Sequence, residues 1–159
     1  IYSVLLLVLS GLLLVCWLLG LREPLLSVSR WAMGLGLKVL GVRVEVLGRE
    51  SIDREARCVF MANHLSFIDG PMLFRVIPRS VRVILKKSIF RIPVLGPGMR
   101  YVGFVPVDRK GIRGGRQSIE TAKRLMRDRG YSYLIFPEGT RSRDGRLQAF
   151  RRGGFFLAL

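Results

Sequence analysis

The sequence predicts an α/β fold, because short apolar runs of strand length alternate with amphipathic helical patterns from residue 42 onward. Three of those runs end in turns that carry a histidine or an arginine, the placement expected at the ligand-binding edge of such a sheet. The N-terminus stands apart. Its first 21 residues carry no charge, whereas all 27 Lys and Arg lie from Arg22 onward. A chain of 159 residues holds one domain with a sizeable core. The division is therefore 1–41 for two membrane-anchoring helices and 42–159 for the domain.

The elements follow in order. Residues 1–21 read as a membrane helix, since about 20 apolar residues cover the roughly 30 Å hydrocarbon core. A cleaved signal peptide is the competing reading, but no basic stretch precedes the apolar run and no small-residue cleavage site precedes Arg22. Arg22, Glu23 and Pro24 are expected to end this helix. Residues 25–40 form an amphipathic pattern with Ser27, Arg30, Gly34 and Lys38 along one face, which suits either the membrane interface or packing on the domain. Alternation of Val42, Val44 and Val46 with Arg43 and Glu45 predicts a strand over 42–47. Buried strands are expected at 58–62 and 131–136, and further strands at 81–85 and 101–107. Helices are expected at 67–76 and 113–129, the second ended by Gly130.

Composition narrows the function classes. A net charge of +16, spread over everything after residue 21, suits anionic lipid, nucleic acid or an acidic carrier protein. The apolar N-terminus favours lipid, and no nucleic-acid motif or stacking series is present. Cys16 and Cys58 are expected to be free thiols. With His64 the only histidine, a multi-histidine metal site is impossible and no metal is expected.

Met61-Ala62-Asn63-His64-Leu65-Ser66-Phe67-Ile68-Asp69 puts a histidine just after a buried strand and an acid five residues on. A carboxylate on one ring nitrogen fixes the tautomer and leaves the other nitrogen as a general base. The alternative is that Asp69 caps a helix or boxes with Ser66, and that His64 is a polar turn residue. No serine or cysteine nucleophile motif lies nearby, so such a base would act directly on an acceptor hydroxyl. A second block, Phe136-Pro137-Glu138-Gly139-Thr140-Arg141, offers a close-approach glycine, a hydroxyl and a planar guanidinium suited to phosphate oxygens. A third runs from Gly103 to Arg109 and ends an apolar strand with an arginine.

In this order and spacing the three blocks resemble the family of 1-acyl-glycerol-3-phosphate and glycerol-3-phosphate acyltransferases. Asn63, His64 and Asp69 are similar to its Asn-His-x4-Asp motif, Phe104 to Arg109 to its second motif, and Phe136 to Arg141 to its Phe-Pro-Glu-Gly-Thr-Arg motif. The resemblance covers residues 42–159 and implies a glycerolphosphate-acyltransferase-like mixed sheet flanked by helices. The family's fourth motif has no counterpart, so the C-terminal part of the domain is expected to be missing.

The implied reaction moves a fatty acyl group from acyl-CoA or acyl carrier protein to 1-acyl-glycerol-3-phosphate, giving phosphatidic acid, with no cofactor beyond that co-substrate. His64 would be the base and Asp69 its partner. Asn63, Arg109, Glu138, Gly139, Thr140 and Arg141 would bind substrate, with Glu138 expected to orient an arginine. Glycerol-3-phosphate or another lysolipid is an alternative acceptor, and a non-catalytic basic module tethered to membrane is the alternative from another class. The expected location is a bacterial inner membrane, with the domain on the cytoplasmic side among anionic lipids.

Overall fold

A computed structural model of the chain describes residues 2–53, 55–108 and 112–159. Four short strands, β1 (Val59–Met61), β2 (Val81–Lys86), β3 (Val105–Val107) and β4 (Ser132–Ile135), make one sheet in the order β1-β4-β2-β3. All three pairings are parallel, so the expected mixed sheet is corrected to a parallel one among the described residues. The reason lies in the connections. Helix α3 (Asp69–Val76), helix α4 (Leu95–Tyr101) and helix α5 (Ile112–Arg129) each intervene between successive strands and return the chain to the same starting edge. The C-terminal ends of all four strands consequently share one crest.

Burial on both faces explains the apolar strands. Leu134 of β4 and Val81 and Val83 of β2 face a core completed by Leu26, Phe74 and Phe104. Tyr133 and Ile135, one residue out of phase, face a second core with Val105, Ala122 and Leu157. Leu157 belongs to helix α6 (Gly153–Ala158), which packs on α5.

Several expected elements change. Residues 42–47 form no strand and pair with nothing among the described residues, because alternation supplies a wet face and not a neighbouring edge. The strand expected over 101–107 shrinks to β3, and Tyr101 instead ends α4. Both cysteines are free thiols.

The N-terminal membrane span is also corrected. Helix α1 (Tyr2–Leu18) has 17 residues, about 25 Å of rise, and among the described residues no helix is long and apolar enough to cross a membrane. It stops before the charged residues do: Gly20 takes φ 69°, and the Leu21 and Gly20 N–H groups close on the carbonyls of Cys16 and Trp17. Arg22, Glu23 and Pro24 open helix α2 (Arg22–Val39) instead of ending α1, a position where proline costs no hydrogen bond. One side of α2 packs on the domain through Leu26 and Leu37, and the Arg30 guanidinium donates to the carbonyls of Ile77 and Arg79 at 2.6 and 2.7 Å. The other side leaves Trp31, Leu35 and Val39 exposed. Glu23 pairs with Arg82, a fully buried arginine of β2 that also donates to the Val102 carbonyl at 3.0 Å and lies 3.5 Å from the Tyr131 ring centre.

Candidate active site

The crest turn after β1 carries His64, and the residues around it fix that side chain from three directions. Asp69 is the first residue of α3, and its Oδ2 lies 3.0 Å from His64 Nδ1. The same oxygen accepts the Leu65 and Ser66 N–H groups, each at 2.7 Å, while Ser66 Oγ accepts from Ile68 N at 3.3 Å. Asp69 therefore meets the imidazole and boxes with Ser66 at once, but does not cap α3, whose N-cap Ile68 has no side-chain hydrogen bond. Burial acts to raise the Asp69 pKa, yet the Ser66 N–H, the imidazole and the Leu65 N–H outweigh it and hold the carboxyl below its usual value. A depressed folded value contributes stability that is present at neutral pH and is lost as pH falls through that value. With Nδ1 engaged as donor to a carboxylate, Nε2 is left as the basic nitrogen.

The ring is also stacked: the His64 and Phe136 centroids lie 4.0 Å apart at 19°. Phe136 follows β4, the strand paired beside β1, so the parallel register brings the second block against the first. The His64 carbonyl accepts Ser142 N–H at 2.7 Å, and its own N–H donates to Glu138 Oε1 at 2.8 Å. The second Glu138 oxygen accepts Gln148 N–H at 3.2 Å, and the residue is buried. Glu138 thus holds backbone where the sequence reading expected an arginine.

Gly139 has φ 73°, and a Cβ there would lie 2.6 Å from Arg151 Nε. The Arg151 side chain therefore crosses the turn directly over this residue, while the Arg151 backbone N–H donates to the Pro137 carbonyl at 2.8 Å. Thr140 and Asn63 are exposed on the crest. Arg141 is exposed too, with its guanidinium 3.4 Å from the Phe67 ring centre, over the loop that joins His64 to Asp69. Arg109 lies outside the described residues. Sequence reasoning assigned no role to Phe67, Ser142, Gln148 or Arg151. Only their contacts reveal them, since in an arginine-rich chain Arg151 is one cation among many. Phe136 also lines a cleft of about 1000 Å³ between α5 and α6.

Fold and turn together describe a parallel α/β domain that carries a carboxylate-oriented histidine on its crest. The acyltransferase family model matches residues 43–159, and the chain belongs to that family. Among its relatives, the 1-acyl-sn-glycerol-3-phosphate acyltransferase of Limnanthes douglasii is 32% identical over 79% of this chain and 44% of its own length. The chloroplastic enzyme of that name from Brassica napus is 37% identical over 73% and 33%, and that of Borreliella burgdorferi 31% over 82% and 52%. The crystal structure of PlsC, the 1-acyl-sn-glycerophosphate acyltransferase of Thermotoga maritima, superposes with a TM-score of 0.74 at 27% identity, covering 94% of this chain and 61% of that one. The chain spans between a third and about half the length of these curated relatives.

Proposed function

We propose that this domain transfers a fatty acyl group from a thioester to the free hydroxyl of 1-acyl-glycerol-3-phosphate. The observation that carries the reading is the 3.0 Å contact of His64 Nδ1 with Asp69, braced by the Phe-Pro-Glu-Gly-Thr-Arg turn. Nε2 takes the proton of the acceptor hydroxyl as its oxygen attacks the thioester carbonyl. The tetrahedral intermediate then expels the thiolate, and the imidazolium returns the proton to sulfur. Asp69 stabilises the imidazolium in between. No cofactor beyond the thioester donor enters the scheme. Incubating the full-length protein with lysophosphatidic acid and labelled thioester should give phosphatidic acid, and absence of product with every donor would refute the reading.

In this reading Arg109 and Arg141 hold the acceptor phosphate. Arg141→Ala should raise KM for lysophosphatidic acid roughly ten- to a hundred-fold with little change in kcat, the effect of losing one charge-assisted contact present in ground and transition states. Acylation of monoacylglycerol, which lacks the phosphate, should be the same in variant and wild type. Equal losses on both acceptors would show that Arg141 serves the fold or the donor.

The acceptor is a membrane lipid, and the exposed apolar side chains of α1 and α2, among them Trp17, Leu18, Trp31 and Val39, support docking on a bilayer surface. We place the protein at the cytoplasmic face of a bacterial inner membrane. The protein should stay with membranes through a high-salt wash, and Trp17→Ser with Trp31→Ser should weaken that hold. Release of the intact protein by salt alone would mean that charge holds it there.

A further inference from the structure

The cleft between α5 and α6 has two qualities that belong together. Its floor is apolar, formed by Ile84, Val107, Ile119 and Ile135, and its rim carries Arg116, Lys123, Arg151 and Arg152 against the acids Asp108 and Glu120. Arg116, Ile119 and Lys123 sit three and seven residues apart and so share one face of α5. One wall is Phe136, whose ring stacks on His64, so a ligand in the cleft reaches the immediate neighbour of the imidazole. Arg141 and Phe67 are absent from its lining. Of the turn that carries Arg141, only Pro137 and Gly139 join Phe136 in the lining.

We propose that this cleft receives the phosphate-bearing arm of the thioester donor, with Arg116, Lys123 and Arg151 holding the phosphate. The inference rests on the acyltransferase reading, which requires two substrates at one histidine. A volume of about 1000 Å³ is far more than a lone phosphate needs, and it suits a ligand with a long arm. Cations over an apolar floor match a donor that joins phosphate to a pantetheine chain. Coenzyme A and carrier proteins both present that chemistry, and a cation of the rim, Arg151, lies directly over Gly139 in the crest turn.

The test is steady-state kinetics on the full-length protein in detergent micelles, comparing Arg116→Ala/Lys123→Ala with wild type. Three donors carry the same acyl group: acyl-CoA, acyl carrier protein and the N-acetylcysteamine thioester, which has no phosphate. KM for a phosphorylated donor should rise about tenfold. KM for lysophosphatidic acid and the rate with the N-acetylcysteamine thioester should not change. Which phosphorylated donor responds identifies the carrier. Arg124→Ala/Arg127→Ala, two exposed cations of α5 outside the cleft, should leave all values alone. An equal loss with the phosphate-free donor, a rise in KM for lysophosphatidic acid, or the same loss in the control pair would overturn the proposal. Wild type inactive with every donor would instead remove the acyltransferase reading, and the donor with it.

Discussion

His64→Ala should lower turnover by about 10²- to 10⁴-fold, the usual worth of a general base, while leaving the far-ultraviolet circular dichroism and the denaturation midpoint close to wild type. The fold should tolerate it because His64 sits on the crest outside both cores, and its backbone contacts to Glu138 and Ser142 do not depend on the ring. Asp69→Asn should cripple turnover as well, and for a separable reason. The amide oxygen can still accept from the Leu65 and Ser66 N–H groups, but the charge that supports the imidazolium is gone. Its stability should also fall less steeply toward acid than that of wild type, because the carboxylate held below its usual pKa no longer has to be protonated. Equal turnover in wild type and His64→Ala would end the mechanism.

What the sequence could disclose depended on range. The strands at 58–62, 81–85 and 131–136 and the helix over 113–129 were legible because their apolar spacing is local. His64 and Asp69 were legible as a pair because five residues separate them across one turn. The apolar run before Leu159 looks helical in sequence, and helix α6 bears that out, starting already at Gly153. A Cβ on Gly154 would lie 2.5 Å from the end of the Ile135 side chain, which would have to shift to admit it. Helix α4 was hidden by Gly96, Pro97 and Gly98, residues that argue against a helix until tertiary packing imposes one. The apolar run at the N-terminus was read as a span because hydropathy does not record where Gly20 turns the chain. The Arg82–Glu23 pair is a contact across 59 residues for which no local pattern exists.

Glu138 is the clearest case of that long range, and removing it should have the second large effect. His64 and Glu138 lie 74 residues apart, and only the β1–β4 pairing brings the carboxylate beneath the histidine turn. In Glu138→Ala the N–H groups of His64 and Gln148 lose their acceptor, at about 1 to 3 kcal/mol for each one that water cannot reach. The turn that aims the imidazole is then free to shift, and a displacement near 1 Å can cost about 10²-fold in rate. The expected result is a fall in kcat of about that size with KM for lysophosphatidic acid little changed, because the arginines assigned to the phosphate are untouched. Glu138→Gln should fall between, since its amide keeps one accepting oxygen and turns N–H toward the other donor. A rise in KM at unchanged kcat would put the carboxylate on the substrate and refute its role as a brace for the histidine turn.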